Sequence, residues 1–145
     1  MFSLHPQLEQ DCFQLGDLPL CRLLLMNDRQ YPWLILVPRK TDTRELLELD
    51  ENDQKQLMQE SNLIGQLLLE VFFAEKLNVA ALGNMVPQLH LHHIARFHHD
   101  PAWPAPVWGK HPALCYSEKE SDEVKAKILD FLAKKAPAFT AVQLS

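Results

Sequence analysis

The sequence predicts an α+β domain with a mostly antiparallel sheet, one long helix packed on that sheet and a C-terminal helix. Two observations indicate this fold. Short apolar runs bounded by turn-forming residues occupy the first part of the chain, and one long segment then shows a helical period. Two further strand-like runs, a Pro- and Trp-rich stretch and a final amphipathic segment follow. This order of elements is typical of an α+β meander.

The first elements are a short helix and a set of strands. Residues 6–11 can form an opening helix, and residues 13–17 and 20–26 favour strands. Residues 27–30 supply a turn, after which residues 33–37 form a strongly apolar strand that ends before a proline. We expect strands 20–26 and 33–37 to pair as an antiparallel hairpin, with the central strand buried on both faces.

The long helix is predicted over residues 51–75. Its apolar positions recur at intervals of three, four and seven, with polar residues between them. They are Leu57, Ile64, Leu67, Leu68, Val71 and Phe72. Asp50 can cap the helix, and Glu51 and Asp53 add negative charge to the first turn, where the helix dipole favours it. One face of this helix is expected to cover the sheet.

The second half of the chain is predicted to complete the sheet. Strand candidates at 77–82 and 88–96 are joined by residues 83–87, and a final amphipathic helix spans about 121–135. Residues 100–112 are rich in Pro and Trp, which favours an extended, irregular segment. Because no repeat or flexible linker interrupts the sequence, we expect one domain over residues 1–145, with residues 100–145 forming its Pro/Trp-rich segment and C-terminal helix.

Composition limits the function classes. The 145 residues are 47% hydrophobic and 23% charged, values that are typical of a globular domain. A net charge of −5 argues against a protein that coats nucleic acid. The apolar stretches are too short to span a bilayer, and the start does not resemble a signal peptide. Three scattered cysteines indicate reduced thiols, so we expect a cytoplasmic protein without a membrane partner.

The most informative segment is residues 88–94, which read QLHLHHI. Side chains alternate between the faces of a strand, so Gln88, His90, His92 and Ile94 are expected on one face and His93 on the other. Two imidazoles at this spacing lie about 7 Å apart along the backbone. Both can therefore reach one small anionic group that lies across the strand.

This pair suits phosphoryl or nucleotidyl transfer. A neutral imidazole can attack phosphorus and form a covalent intermediate, and a second imidazole can assist the phosphate oxygens or the leaving group. Two alternatives remain open. His90 and His92 could be histidines without chemistry, or they could bind zinc with a third ligand from His98, His99 or His111. No Cys or acidic residue stands at a recognisable metal-ligand spacing.

The segment resembles the signature of the histidine triad (HIT) superfamily of nucleotide hydrolases and transferases, His-φ-His-φ-His-φ-φ with φ apolar. The similarity extends to Asn27-Asp28, the apolar strand ending in Pro38-Arg39, the long helix and Gly83-Asn84, which follow the family's order. It covers about residues 10–110. The resemblance implies a HIT-like fold and a homodimer.

Through this resemblance, His90 falls on the middle histidine, the family's nucleophile, and His92 on the last, which contacts the phosphate. Gln88 replaces the first histidine, a supporting position. A carboxamide can hydrogen-bond but cannot carry a proton charge, so we expect altered tuning rather than loss of the nucleophile. His93 stands where the pattern has an apolar residue, and we interpret it as a buried, hydrogen-bonded histidine on the opposite face.

The resemblance also implies a nucleotide site. Asn27 or Asp28 falls near the residue that holds the ribose hydroxyls, and Asn84 lies in the loop that approaches the phosphates. The implied reaction is hydrolysis or transfer at the α-phosphate of a dinucleoside polyphosphate or nucleoside phosphoramidate. It requires no resident metal or other cofactor, although Mg²⁺ could accompany a polyphosphate. A nucleotide-binding or sensory module with weak turnover and a metal-dependent phosphohydrolase are the alternatives.

Two tryptophans in the Pro-rich segment have two interpretations. Trp103 and Trp108 could frame a nucleobase, because aromatic faces stack on bases. Equally, the segment could be a flap that packs its tryptophans onto the domain or onto a second subunit. The sequence leaves both open.

Overall fold

The computed structural model describes residues 1–142. In chain order its elements are α1 (Pro6–Asp11), β1 (Cys12–Asp17), β2 (Cys21–Met26), β3 (Trp33–Pro38), a 3-10 turn (Leu46–Glu48), α2 (Glu51–Phe72), β4 (Lys76–Ala80), β5 (Leu91–Arg96), α3 (Glu118–Lys135) and β6 (Thr140–Ala141). The strands form one antiparallel sheet in the order β4-β5-β3-β2-β1-β6. The predicted α+β fold is confirmed. None of the helices in residues 1–142 is long and apolar enough to cross a membrane.

Strand β3 lies at the centre of the sheet, between β2 and β5. All six of its residues are buried. This is expected because the strand is apolar throughout and does not alternate polar with apolar residues. Strand β2 pairs with it from Cys21 opposite Pro38 to Leu25 opposite Leu34. The predicted hairpin, buried on both faces, is therefore confirmed.

The two faces of the sheet are covered by different parts of the chain. One face packs against α2 and α3 in a core that includes Leu23, Leu25, Leu34, Leu36, Ile64, Leu67, Leu68, Ile128 and Leu132. The other face packs against α1, the loop before β5 and the segment after β5, in a smaller core that includes Leu8, Leu24, Ile35, Val86, Ile94 and Val107. We call these the core face and the pocket face.

Helix α2 begins as predicted and ends three residues earlier than the predicted residue 75. The Asp50 carboxylate caps it by accepting from the Asp53 N–H at 2.8 Å. Phe73 then turns the chain with a left-handed backbone (φ 58°). The Glu75 N–H donates to the Arg96 carbonyl at 3.0 Å, so the chain already pairs with β5 where the sequence period still favoured helix.

Helix α3 begins three residues before the predicted residue 121. Ser117 accepts from the Glu120 N–H at 3.1 Å, and the Glu120 carboxylate accepts from the Ser117 N–H at 3.0 Å. This reciprocal capping box satisfies two backbone donors at the helix start. The Ser-x-x-Glu spacing was readable in the sequence, and the prediction overlooked it.

The predicted strand 88–96 is wrong at its start, because β5 begins at Leu91. Gln88 lies in a bend after Pro87, and the Leu89 N–H donates to the Thr43 carbonyl at 2.9 Å instead of to β3. His90 therefore stands one residue before the strand. Strand β4 is likewise shifted, to Lys76–Ala80 instead of 77–82.

A two-residue strand that the sequence analysis missed closes the far edge of the sheet. β6 pairs with β1 at Gly16 and Asp17. A Cβ atom on Gly16 would lie 2.3 Å from the Thr140 carbonyl oxygen and 2.9 Å from the Ala141 Cα. Only glycine permits this approach of the two backbones.

Candidate active site

The pocket face presents two neighbouring imidazoles. His92 lies on β5 and His90 just before it, and their ring centroids are 4.9 Å apart. Both side chains are largely buried, with 6% and 7% of His90 and His92 exposed. The structure therefore brings together the two histidines that the sequence placed on one face, even though the regular strand begins between them.

A backbone contact determines the tautomer of His90. Its Nδ1 lies 2.6 Å from the Gln88 carbonyl oxygen. Because a carbonyl oxygen only accepts, Nδ1 carries the proton and Nε2 keeps its lone pair. Burial is the largest influence on the ring and lowers the pKa of His90, against a smaller opposing effect of the Gln88 contact. His90 is therefore a neutral imidazole with a free lone pair, which is the form that a nucleophile requires.

A side-chain contact gives His92 the opposite tautomer. The Trp33 indole Nε1–H donates to His92 Nδ1 at 3.0 Å. An indole only donates, so Nδ1 of His92 is unprotonated and Nε2 carries the hydrogen. Burial, reinforced by the neighbouring His90 and His93, lowers the pKa of His92 to about 3. At neutral pH His92 is an uncharged hydrogen-bond donor. The sequence analysis did not identify Trp33 as the residue that orients it.

The Pro- and Trp-rich segment after β5, residues 100–112, forms a flap that covers this face. Its two tryptophans have different surroundings. The Trp108 ring lies 5.1 Å from the His92 ring and 6.1 Å from Trp33. The Arg96 guanidinium instead lies over Trp103, 5.4 Å from the centroid of the Trp103 ring. Of the two, only Trp108 lines the pocket. The flap interpretation holds for Trp103.

A buried ion pair anchors the flap. The Arg96 Nε and Nη2 donate to the two Asp100 oxygens at 2.8 and 3.1 Å, and Nη2 also donates to the Ala105 carbonyl at 2.9 Å. Burial opposes ionisation of Asp100, but the hydrogen bonds from Arg96, Phe97 and Trp103 outweigh it and lower the pKa to about 2. Arg96 thus positions the segment that carries Trp108.

The histidine pair faces a cavity of about 680 Å³, which is within the size range of small-molecule sites. Helix α1, strands β2 and β3, the loop at 82–86 and Trp108 surround it. Its lining is more apolar than polar, with Leu8, Met26, Ile35 and Val86 among the apolar residues. A flat apolar group and an attached anion could occupy such a cavity together.

The predicted nucleotide-binding residues have different positions. Asn84 is exposed and lines the cavity with the two histidines. Asn27 and Asp28 do not line it. The Asn27 carboxamide oxygen accepts from the Tyr116 N–H at 2.9 Å, and Asp28 accepts from the backbone N–H groups of Gln30 (3.1 Å) and Leu114 (3.4 Å). In these positions they hold the segment before α3 against the β2–β3 turn.

Gln88 contacts the N-terminal segment with its side chain, away from the two site histidines. Its Oε1 accepts from the His5 N–H at 2.8 Å, and its Nε2 donates to the Ser3 carbonyl at 2.9 Å. Its contact with the site is the backbone carbonyl that orients His90. His5 itself lines the cavity, and the sequence analysis missed it, because no local pattern links residues 83 positions apart.

The remaining histidines lie outside the cavity. His93 is fully buried on the core face, where its Nε2 is 2.8 Å from the Ser61 hydroxyl of α2, so the interpretation of a buried, hydrogen-bonded histidine is confirmed. His98 contacts Glu75 at the surface, and His111 contacts the Pro101 carbonyl. Among residues 1–142 no three His, Cys, Asp or Glu side chains come together in a group that could hold a metal ion.

The fold and the site define an α+β protein with a pair of neutral imidazoles of opposite tautomer at a ligand-sized cavity. The HIT domain family matches residues 7–99, more than half of the chain. The chain belongs to the histidine triad (HIT) family.

Solved structures support this assignment. A histidine triad protein from Marinobacter aquaeolei is 51% identical over 94% of this chain and 99% of its own, with a TM-score of 0.90. A HIT protein from Sinorhizobium meliloti is 47% identical over 91% of this chain and 98% of its own, with a TM-score of 0.88. Plasmodium falciparum diadenosine triphosphate hydrolase shares the fold at 16% identity and a TM-score of 0.66, over 93% of this chain and 84% of its own. No curated protein matches the chain significantly.

Proposed function

We propose that this protein is a nucleotide hydrolase or nucleotidyltransferase that acts at the α-phosphate through a covalent nucleotidyl-histidine. The observation that carries the proposal is the pair of opposite tautomers: His90 presents a lone pair and His92 presents an N–H to one cavity. A nucleophile needs the first and a phosphoryl oxygen needs the second. The family includes enzymes of this type, and the P. falciparum relative is a diadenosine triphosphate hydrolase.

The reaction follows from these positions. The His90 Nε2 lone pair attacks phosphorus, and the bond from phosphorus to the leaving group breaks with its electrons on that group. The ring becomes cationic, and the Gln88 carbonyl, which accepts from Nδ1–H, stabilises the new charge. His92 donates its Nε2–H to a non-bridging oxygen. Water then attacks phosphorus and releases one proton to the solvent. The P–N bond returns its electrons to His90, and a nucleoside monophosphate leaves with the water's hydroxyl.

The uncharged site favours a leaving group that departs as an anion. His92 stays neutral down to about its pKa of 3, and so it has no additional proton to give. A phosphate or nucleotide can leave without a proton near neutral pH, whereas an amine must receive one. Dinucleoside polyphosphates are therefore the preferred substrate class, and phosphoramidates the slower one. We expect Asn84, which is exposed and lines the cavity, to contact the phosphate chain.

The test is a covalent adduct. Wild type and His92→Asn are mixed briefly with diadenosine triphosphate and quenched without acid, because a P–N bond is labile in acid; intact mass and released AMP are then measured. We expect an adenylate adduct that accumulates in His92→Asn and is absent in His90→Ala. His93→Asn is the matched control and should form the adduct as wild type does. AMP release by His90→Ala would contradict the nucleophile, and tight binding without product would favour a sensory module.

We also propose that the chain is a homodimer through the β4 edge. β4 is the last strand of the sheet as described over residues 1–142, and it carries Val79 with 51% of its surface exposed. Leu82 and Met85, just after it, and Met58 on the adjacent α2 are exposed too. An unpaired strand edge beside exposed apolar side chains is suited to pairing with a second copy.

Oligomeric state tests this interface. Val79→Lys should produce a monomer in sedimentation or light-scattering measurements, and the matched surface change Leu114→Lys should leave the dimer intact. A wild-type monomer across the micromolar range would contradict the proposal.

A further inference from the structure

His5 lies at the catalytic cavity although it is far from the triad segment in sequence. It caps α1, is half-buried, and lines the same cavity as His90 and His92. Three imidazoles therefore line the cavity in which a phosphate would lie.

The residue in the place of the first triad histidine holds His5 in position. Both polar atoms of the Gln88 carboxamide contact the N-terminal segment, one at the His5 N–H (2.8 Å) and the other at the Ser3 carbonyl (2.9 Å). The Gln88 backbone carbonyl meanwhile orients His90. Gln88 thus connects the backbone that carries His5 to the ring that carries the nucleophile.

The cap fixes the tautomer of His5. Its Nδ1 accepts from the Gln7 N–H at 3.0 Å, so Nδ1 is unprotonated and Nε2 carries the hydrogen. Within residues 1–142 this Nε2 has no hydrogen-bond partner. His5 thus offers an oriented, uncharged N–H at the cavity, in the same tautomeric form as His92.

A second cavity adjoins His5. It has a volume of about 330 Å³, and His5 lines both it and the larger cavity. Its lining includes the hydroxyls of Ser3 and Thr43 and the charges of Arg44 and Asp42. Apolar residues such as Phe2 and Leu4 line it as well. A phosphate chain that runs from the histidine pair into this second cavity would pass His5.

We propose that His5 is a third catalytic imidazole of this site, whose Nε2–H donates to a phosphate oxygen on the leaving-group side of the substrate. The inference rests on the nucleotidyl transfer proposed above. The step transfers no proton: the leaving phosphate departs as an anion, and the hydrogen bond stabilises the charge that develops on it as the P–O bond breaks. Gln88 is the positioning residue for this imidazole.

Two substitutions separate the catalytic contact from the helix cap. Asparagine places a carboxamide oxygen near Nδ1 and is a good cap, but it lacks the distal N–H. Glutamine can place an N–H near Nε2 but loses the cap acceptor. With diadenosine triphosphate we expect His5→Asn to reduce kcat/KM by about 10²-fold, within the range for loss of one oxyanion donor. It should retain the wild-type melting temperature, and His5→Gln should recover part of the rate.

An NMR measurement adds a readout that does not depend on turnover. In wild type, titration with ADP, whose β-phosphate stands for the leaving-group side of the substrate, should shift the ¹⁵Nε2–¹H signal of His5. The matched change His99→Asn at an exposed site should alter neither this shift nor the rate. If His5→Asn keeps the full rate and the His5 signal of wild type does not move on titration, the proposal is overturned. The proposed nucleotidyl-transfer function is unaffected by that result. A moved His5 signal in a protein without adduct or AMP release supports the contact and overturns the enzyme. A rate lost in His5→Ala but kept in His5→Asn means that His5 is only a cap, which also overturns the proposal.

Discussion

His92 and His93 are consecutive residues on β5, but the two faces of the sheet give them different roles. His92 points into a cavity that is wide enough for a ligand, and an indole N–H determines its tautomer. His93 points under α2, contacts the Ser61 hydroxyl and has no exposed surface. The same side chain is a candidate catalytic group on one face and part of the core on the other. The difference lies in what covers each face, a flap and a loop in one case and a long helix in the other.

The largest expected effect tests this division directly. His90→Ala should reduce adenylate release from diadenosine triphosphate on the order of 10³-fold or more, because it removes the nucleophile. Its free energy of unfolding should change little, since His90 precedes the strand and borders a cavity. His93→Asn should show the converse, lower stability with kcat preserved in the folded protein. Denaturant titrations and steady-state kinetics on both variants measure the comparison, and matching losses of rate would contradict it.

The flap that covers the pocket face depends on a single arginine. Arg96→Leu should lower the free energy of unfolding by about 3 to 5 kcal/mol, because it leaves the Asp100 carboxylate buried without its partner. It should also lower kcat/KM through displacement of Trp108. Lys134→Leu removes a partner from an exposed ion pair with Asp130 and should cost little. Similar losses in the two variants would show that the Arg96 pair does not anchor the flap.

Acid should destabilise both faces. Burial is the largest cause that lowers the pKa of His92 to about 3 and of His93 to about 4, whereas a free imidazole titrates at ~6.5. Between these values the unfolded chain binds more protons than the folded one, so stability is constant above pH ~6.5 and falls as the pH falls to 4. The expected slope is about 1.4 kcal/mol per pH unit for each histidine. Asp100, with a pKa of about 2, contributes only below this window.

Denaturant titrations at pH 7, 6 and 5 give this slope. His93→Leu should reduce the slope of the unfolding free energy against pH by the contribution of one histidine. An unchanged slope would show that His93 on the core face does not contribute to it.

The smallest effects come from the residues that orient each ring. Ser61→Ala should cost about 1 kcal/mol of stability, the usual contribution of one hydrogen bond, and leave kcat unchanged. Trp33→Phe removes the donor to His92 Nδ1 and should lower kcat by about tenfold, with little loss of stability. A tenfold change in kcat corresponds to about the energy of one hydrogen bond. If Ser61→Ala changed kcat as much as Trp33→Phe does, the two faces would not be functionally separate.

Several features of the site could be predicted because they are local. The spacing of His90 and His92 placed both rings on one face, and the position of His93 placed it on the other. The family resemblance added the order of the elements. It also suggested Asn27 or Asp28 for the ribose, but the structure engages both with the segment before α3. Contacts between segments that are distant in sequence, such as this one, leave no periodic pattern.

The sequence by itself determined the order and type of the elements up to α3 and the identity of the histidine pair, because hydrophobic period, capping residues and strand alternation act over a few residues. Tertiary structure alone decided the chemistry of each ring. The Thr43 carbonyl accepts from the Leu89 N–H and delays the start of β5 to Leu91, Trp33 determines the tautomer of His92, and Gln88 brings His5 to the cavity from 83 residues away. A hydrogen bond that orients an imidazole depends on distance in space. Spacing along the chain therefore indicated which side chains could act, and packing determined in which form.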